Sequence, residues 1–184
     1  MKKLLIVVDY QNDFVLGSLG FPKAETLEEP IIRKIATYRN AGNDIVFTLD
    51  THGGDYLDTM EGKKLPVLHC SRSSEGWQLF GKVASLRAPK DIVFEKPTFG
   101  SAGLMDYLKN HDYDSIELCG LVTNMCVLAN AVIAKTARPD ADIIIDAACT
   151  ASFDDSMHEK ALDVLEGIHC TILNRKQSIP SKSL

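Results

Sequence analysis

Three residues whose side chains can take part in covalent bond cleavage follow strand-like runs of this sequence. Asp9 and Lys96 each end an apolar run, and Cys126 lies in the first turn of a helical stretch that follows Gly120. Helix N-termini carry partial positive charge and free N–H groups, which lower the pKa of a thiol and can stabilise an oxyanion. The placement predicts a nucleophile of lowered pKa at Cys126. A buried small apolar residue is the alternative for a lone helical cysteine, as a turn residue is for Asp9 and a solvated side chain for Lys96.

A second group of chemically capable residues lies in the string DTHGGDYLDTMEGKKLPVLHC, residues 50–70. It contains Asp50, His52, Glu61 and His69. Two imidazoles with one or two carboxylates suit Zn²⁺, Fe²⁺ or Mn²⁺. In an extended segment residues i and i+2 point the same way, so Asp50 and His52 can share one ion while the loop brings the other two back across it. A solvated acidic loop with two surface histidines is the alternative.

The other four cysteines lack a setting that would activate a thiol. They are Cys70, Cys119, Cys149 and Cys170. The total of five is odd and contains no C-x-x-C pair, which disfavours both a disulfide framework and a thiol redox protein. We interpret these four as structural thiols.

The elements that must position these side chains are strands that alternate with helices. Apolar runs rich in β-branched residues are separated by stretches of helical period, which is typical of βαβ units and a parallel sheet. The expected strands are Leu4 to Asp9, Asp44 to Asp50, Asp91 to Glu95, Ser115 to Gly120, Asp142 to Asp146 and Cys170 to Leu173. The expected helices are Pro30 to Asn40, Gly103 to Asn110, Asn124 to Ala137 and Asp155 to Glu166.

These elements predict an α/β fold with three layers, α/β/α, built on a six-stranded, mostly parallel, Rossmann-like sheet. We expect one domain over residues 1–184, with a frayed tail at 177–184. Residues 51–88 show neither the period of a strand nor that of a helix, and they are expected to form a long loop region with room for one short helix. Ligands of such sheets bind outside the carboxyl ends of the strands. Five expected strands end there at or beside Asp9, Asp50, Lys96, Gly120 and Asp146.

The composition excludes several classes of protein. A chain of 184 residues with 45% apolar content fits one globular domain that needs neither metal nor disulfides to fold, so a metal site would be functional. A net charge of −5 without a basic block disfavours nucleic acid. The apolar runs are far below the about 20 residues that a membrane span needs, and the first is too short for a signal peptide. We therefore expect a cytoplasmic protein without a membrane partner.

A non-enzymatic, flavodoxin-like binding module would show the same alternation of strands and helices. Such a module needs a phosphate-binding turn after its first strand. The residues at that point, 9–13, read DYQND and contain no glycine, and the chain has neither G-x-G-x-x-G nor G-x-x-x-x-G-K-[ST]. The module is therefore the weaker interpretation.

The ordered motifs resemble those of the isochorismatase-like cysteine hydrolases and, within that family, the nicotinamidases or pyrazinamidases. The similarity covers nearly the whole chain and rests on VDYQNDF, LDTH, LPVLHC followed by SEGW, EKPTFGSAG and CGLVTNMCV. The resemblance implies a catalytic triad of Asp9, Lys96 and Cys126. It also implies a cis peptide between Leu121 and Val122, with the N–H groups of Val122 and Cys126 forming an oxyanion hole.

The resemblance further implies a metal-dependent amidohydrolase. The implied ligands are Asp50, His52 and His69, with Glu61 as the matching fourth. They would hold one divalent transition metal, zinc first and iron or manganese as alternatives, which binds the pyridine nitrogen of the substrate. The implied reaction converts nicotinamide to nicotinate and ammonia through a cysteine thioester, in NAD salvage.

Substrate preference is less defined by the sequence than the chemistry. Phe14 and Trp77 are candidates for sandwiching the substrate ring, with simple core packing as the equal alternative. Asn124 and Met125 depart from the family pattern in a segment that lines the substrate pocket. Carbamoyl and ureido compounds are therefore alternative substrates, whereas family members acting on isochorismate often lack the cysteine. The expected partner is a small-molecule amide, and a homo-oligomer is allowed for.

Overall fold

The sheet contains six strands whose paired neighbours are all parallel. The computed structural model describes residues 1–175, so the fraying expected at 177–184 lies outside the described residues. The strands are β1 (Lys3–Val8), β2 (Asp44–Asp50), β3 (Ile92–Lys96), β4 (Ser115–Leu121), β5 (Asp142–Ala151) and β6 (Thr171–Leu173). They are ordered β3-β2-β1-β4-β5-β6. The expected α/β fold is confirmed, and the sheet is parallel throughout rather than mostly parallel.

Eight α-helices and two other helical turns connect the strands within residues 1–175. The α-helices are α1 (Asn12–Val15), α2 (Pro22–Thr26), α3 (Glu28–Asn40), α4 (Met60–Lys64), α5 (Gly81–Leu86), α6 (Ala102–Lys109), α7 (Leu128–Ala137) and α8 (Asp155–Gly167). A 3₁₀ turn spans Tyr56–Asp58, and a π-helical turn spans Thr123–Val127. None of the helices in this part of the chain is long and apolar enough to span a membrane.

The helices cover both faces of the sheet because alternate strand residues point to opposite sides. Leu5 and Val7 of β1 pack in the core layer that also contains the buried side chains of α3 and α5. Leu4 and Ile6 of the same strand pack in the layer formed with α6, α7 and α8. This arrangement is the three-layer α/β/α architecture.

The loop region between β2 and β3 is more structured than the sequence indicated. It contains the 3₁₀ turn, α4 and α5, where we expected one short helix. Thr59 explains the start of α4, because its hydroxyl accepts a hydrogen bond from the N–H of Gly62 at 3.0 Å, as an N-cap does. The short helices α1 and α2 were also not predicted, since neither is long enough to show a period.

The expectation that Asp146 stands at the carboxyl edge of the sheet is wrong. β5 continues past it to Ala151, because the β4–β5 register shifts between Leu118 and Gly120 and pairing then resumes. The Asp146 carboxylate lies under α3 instead, 2.7 Å from Lys34 Nζ. It is therefore part of a buried ion-pair cluster away from the predicted site.

Candidate active site

Four strand ends meet where the strand order changes direction, and they carry the reactive side chains to one place. Ligands of open parallel sheets bind at such a switch point. Asp9 directly follows β1, with a φ of +45° that turns the chain out of the sheet. Asp50 and Lys96 end β2 and β3 and are partners in the parallel register. Gly120, at the end of β4, approaches β1 so closely that an added Cβ would lie 2.0 Å from the Val8 carbonyl oxygen.

Asp9, Lys96 and Cys126 lie in contact, as their predicted roles require. Lys96 Nζ is 2.7 Å from Asp9 Oδ2 and donates a hydrogen bond to Cys126 Sγ at 3.4 Å. All three side chains are buried, with exposed fractions of 0%, 1% and 5% in the order Asp9, Lys96 and Cys126. The Thr48 hydroxyl donates to Asp9 Oδ1 at 2.6 Å, which fixes the carboxylate beside the lysine. A thiol, a carboxylate and a cation therefore share one small buried space.

The ionisation of this group differs from the sequence expectation. Burial, followed by the negative charge of Asp9, raises the pKa of the Cys126 thiol well above its ordinary value. The expected lowering is therefore wrong, because desolvation outweighs the positive charge of Lys96. Burial likewise raises the pKa of Asp9, against the opposing charge of Lys96. A carboxylate of raised pKa beside a protonated thiol is suited to accept that proton.

The segment that carries Cys126 is a π-helical turn rather than the first turn of an α-helix. The Leu121–Val122 peptide is cis, as the resemblance implied. The N–H groups of Met125 and Val127 both donate to the Val122 carbonyl, at 3.0 and 3.2 Å. The α-helix begins only at Leu128. The N–H groups of Val122 and Cys126 stay the predicted oxyanion donors.

The four predicted metal ligands come together beside Lys96. One potential ligand atom from each of Asp50, His52, Glu61 and His69 lies within 4.8 Å of the others. The Nε2 atoms of His52 and His69 are 3.0 and 3.3 Å from Asp50 Oδ2. Asp50 ends β2 and His52 lies two residues beyond it, whereas Glu61 lies in α4 and His69 directly precedes Cys70.

The chemistry of these four donors fits a divalent transition metal. Two imidazoles and two carboxylates are a usual set for such an ion. His69 Nδ1 lies 2.8 Å from the Val67 carbonyl, an arrangement that assigns the proton to Nδ1 and leaves Nε2 as a ligand. Burial raises the pKa of Asp50, but the contacts of its carboxylate with the His52 and His69 rings and the charge of Lys96 outweigh it and lower that pKa. The Asp50 carboxylate is therefore held in its anionic, metal-binding form.

Gln11 supports this cluster, although the sequence reasoning gave it no role. Its fully buried carboxamide accepts a hydrogen bond from the Asp50 N–H at 2.8 Å and donates to the Asp50 carbonyl at 2.9 Å. The same Nε2 also donates to the Trp77 carbonyl at 2.8 Å. Gln11 thus fixes the backbone of a candidate ligand. Its position directly after Asp9-Tyr10 in VDYQNDF was the available signal.

A cavity of about 350 Å³ opens onto Cys126 and three of the four metal-ligand candidates, Asp50, Glu61 and His69. Phe14 lines it, and the Phe14 ring also contacts the His69 ring edge-on at a centroid distance of 5.7 Å. Phe14 therefore forms part of the cavity wall beside one of the metal-ligand candidates. The remaining walls are mostly apolar and include residues that sequence reasoning did not select: Leu19, Leu65, Phe99 and Phe153.

Trp77 is not among the residues lining this cavity, so the structure does not place it to sandwich a bound ring. Its indole N–H donates to the Thr51 hydroxyl at 2.8 Å, and its side chain packs against the core layer of α3 and α5. It lines a separate pocket with Leu49 and Arg87. The hydrogen bonds that tie Trp77 to Thr51 and Gln11 hold it outside the lining of the cavity onto which Cys126 opens.

The chain is similar to known proteins in both sequence and fold. The sequence model described as "Isochorismatase domain" matches residues 3–177. The chain is 29% identical over 174 residues to the uncharacterized isochorismatase family protein PncA of Bacillus subtilis, covering 88% of this chain and 93% of the relative. It is 25% identical over 216 residues to the nicotinamidase of Saccharomyces cerevisiae, covering 94% and 100%. The crystal structure of nicotinamidase PncA from Bacillus subtilis superposes with a TM-score of 0.83 at 30% identity, covering 94% of this chain and 100% of that one.

Proposed function

Because this chain belongs to the isochorismatase domain family, we propose that it is an amidohydrolase that converts nicotinamide to nicotinate and ammonia through a thioester on Cys126. The position of Lys96 is the observation that carries the proposal. Its ammonium contacts the Asp9 carboxylate at 2.7 Å and the Cys126 sulfur at 3.4 Å, beside a cavity onto which that sulfur opens. This is the arrangement that covalent catalysis on a carbonyl needs.

The first half of the reaction forms the thioester. Asp9 accepts the Cys126 proton as the sulfur attacks the amide carbon, and the carbonyl π electrons move to the oxygen. The N–H groups of Val122 and Cys126 stabilise that oxyanion, and Lys96 stabilises the negative charge that passes between the thiol and Asp9. When the oxyanion collapses, Asp9 returns the proton to the departing nitrogen, and ammonia leaves.

The second half hydrolyses the thioester. Asp9 is again a carboxylate and accepts a proton from the attacking water, whose oxygen bonds to the acyl carbon. Collapse of this intermediate breaks the carbon–sulfur bond, and the proton returns to Cys126. The raised pKa of Asp9 supports this exchange, since it makes the carboxylate a stronger base toward the thiol and the water.

Asp50, His52, Glu61 and His69 would hold the metal, for which zinc is the first expectation and iron or manganese the alternatives. A divalent cation at this position would coordinate the ring nitrogen and orient the ring. Lys96 Nζ, 3.3 Å from Asp50 Oδ1, keeps the ligand carboxylate charged. Phe14 contacts the ring of a ligand histidine and would pack against the substrate ring.

The cavity supports a neutral aromatic amide over the alternatives. Among residues 1–175, no arginine or lysine lines it, so it offers no side-chain cation to a substrate carboxylate, and its walls carry Phe14, Phe99 and Phe153. Carbamoyl and ureido compounds are the alternative substrates. A binding module without catalysis does not explain the contact between a buried lysine and a thiol. The role in NAD salvage, the cytoplasmic location and a homo-oligomer stay predictions.

An ammonia-release assay over nicotinamide, pyrazinamide, and carbamoyl and ureido compounds tests the proposal. We expect the metal-loaded wild-type chain to turn over the two aromatic amides and Cys126→Ala to lose about a thousandfold or more of that activity. Turnover confined to carbamoyl or ureido compounds would select the alternative substrate class. No turnover of any of these amides by the metal-loaded protein would reject the amidohydrolase.

A further inference from the structure

Asn130 links the π-helical turn that carries Cys126 to the loop that forms one wall of the cavity. It is fully buried in α7, four residues after Cys126. Its Nδ2 donates hydrogen bonds to the Cys126 carbonyl at 2.8 Å and to the Phe99 carbonyl at 3.0 Å. Its Oδ1 accepts a hydrogen bond from the Ser101 N–H at 3.0 Å. One carboxamide thus connects the backbone of Cys126 to two residues of the loop after β3.

The loop at residues 97–101 is held against the site at both ends. At its start, Lys96 Nζ donates to the Thr98 carbonyl at 2.9 Å. At its end, Gly100 lies against α7 so closely that an added Cβ would be 2.7 Å from Ile133 Cδ1. Phe99 lies between these points, is 42% exposed, and lines the cavity onto which Cys126 opens. A half-exposed side chain has little core packing of its own to hold it, so the backbone bonds must set its position.

Burial of the Asn130 carboxamide within α7 costs free energy. The rest of α7 reads LA-AVIAKTA and its buried neighbours are alanines, so the polar group is desolvated. A buried amide costs free energy unless its hydrogen bonds are made, and here all three go to backbone atoms of the two segments that border the cavity. An aliphatic side chain would satisfy the helix packing alone, but it would leave the two segments unconnected.

We propose that Asn130 is a positioning residue that holds the Phe99 wall at a fixed place relative to Cys126, and that it thereby determines how tightly the amide substrate is bound. The inference rests on the proposed amidohydrolase function. It assigns Asn130 no contact with substrate. Its effect passes through Phe99, so it acts on KM more than on kcat.

A double-mutant cycle with Asn130→Leu and Phe99→Ala tests this on the metal-loaded full chain. Asn130→Leu keeps the side-chain size and removes the three hydrogen bonds. We expect it to raise KM for nicotinamide by about tenfold, with kcat changed by less than about threefold. In the Phe99→Ala background the same substitution should change KM by less than about twofold, because the wall it positions is gone.

Two controls separate positioning from loss of stability. Leu108→Ala removes a fully buried side chain from α6, so it lowers the melting temperature and should leave KM unchanged. Asn110→Ala removes an exposed carboxamide that donates to the Asp106 carbonyl at 2.8 Å, and it should change neither quantity. If Asn130→Leu does not fold, Asn130→Ser, which is smaller and polar, takes its place in the cycle.

The proposal is overturned if the Asn130 substitution raises KM equally with and without Phe99, or if it lowers kcat and leaves KM unchanged. The alkylation rate of Cys126 by iodoacetamide, followed by mass spectrometry, gives a readout that needs no turnover. Asn130→Leu should loosen the wall and so raise that rate in the otherwise wild-type chain. The same substitution should not raise the rate further in the Phe99→Ala background. If this coupling appears while no amide is hydrolysed, the proposed function fails and the positioning role of Asn130 stands.

Discussion

Asp50 and Lys96 are directly paired in the register of β2 and β3, and Lys96 Nζ lies 3.3 Å from Asp50 Oδ1. The same ammonium lies 2.7 Å from Asp9 Oδ2. One buried cation therefore neutralises a carboxylate of the predicted triad and a carboxylate of the candidate metal cluster. The two parts of the site are electrostatically one unit, and a change at Lys96 must affect both.

Lys96→Met should abolish turnover and destabilise the protein. The substitution leaves the carboxylates of Asp9 and Asp50 buried without their cation, which costs about 3–5 kcal/mol when one partner of a buried pair is removed. Urea unfolding and kcat/KM measure the two effects. Lys34→Met is the matched control, since Lys34 also pairs with two carboxylates, Glu117 and Asp146, but under α3. Lys34→Met should lower the free energy of unfolding and leave kcat/KM of the folded protein intact. Equal losses of activity in both variants would contradict the assignment of Lys96.

Cys126→Ala should lower kcat for ammonia release by about a thousandfold or more, because the nucleophile is lost. The fold should persist, as the change removes only one sulfur atom from a packed turn. Cys149→Ala, at another buried thiol, should keep most of the activity. Circular dichroism and the ammonia assay check both variants. Substantial turnover by Cys126→Ala would show that another group attacks the amide.

The rate of Cys126 alkylation should keep rising with pH beyond the ordinary cysteine range of about 8.5. The reason is that burial and then Asp9 raise the pKa of the thiol, so little thiolate exists at neutral pH. Asp9→Asn removes a negative neighbour and lowers that pKa, so alkylation at a fixed pH near 8 should become faster while turnover is lost. Mass spectrometry of labelled peptides measures the rate. A plateau already reached at neutral pH in the wild-type chain would be the opposite result.

Metal analysis should find about one divalent cation per chain in the wild-type protein and much less in His52→Ala and His69→Ala. Each variant removes one of four clustered donors. His111→Ala is the control, because His111 stacks on Tyr107 away from the cluster. The fluorescence of Trp77, the single tryptophan, offers a second readout of metal binding. Trp77 hydrogen-bonds Thr51, which lies between the candidate ligands Asp50 and His52 in the sequence. Full metal content in both ligand variants would exclude this cluster.

Phe14→Ala should raise KM for nicotinamide by more than Trp77→Phe does. An aromatic contact is worth about 0.5–1.5 kcal/mol, which corresponds to about a 2- to 12-fold change in KM. Phe14 lines the cavity, whereas Trp77 lines a separate pocket. Steady-state kinetics with matched metal loading distinguishes the two. A larger KM effect at Trp77 would restore the sandwich that the sequence suggested.

Local patterns were sufficient to predict most of the scaffold. The expected strand starts lie within one residue of the observed ones, because a buried parallel strand is a continuous apolar run that can be read without its neighbours. The predicted end of β5 was wrong because this strand is not a continuous apolar run. Asp146 interrupts the apolar run, and only the β4–β5 pairing shows that the strand continues to Ala151.

The walls of the cavity could not be predicted in the same way. Phe99 and Phe153 follow different strands and have no shared pattern, so only the fold brings them to one space. Trp77 looked equally suited by type and by its place in a motif, yet a hydrogen bond to Thr51 holds it elsewhere. Residue type indicates what a side chain can do, but its direction depends on the contacts around it.

By itself, the sequence determined which chemistry is available: a thiol, a lysine, and carboxylates and imidazoles at strand ends that a parallel sheet must bring to one edge. Only the tertiary structure decided how these groups ionise and what they face. Burial raises the pKa of Cys126 where helix placement alone suggested the reverse. The β2–β3 register puts Lys96 beside Asp50, and its ammonium also reaches Asp9, which follows β1. Desolvation and cross-strand contacts depend on residues that are distant in the sequence, so no local pattern predicts them.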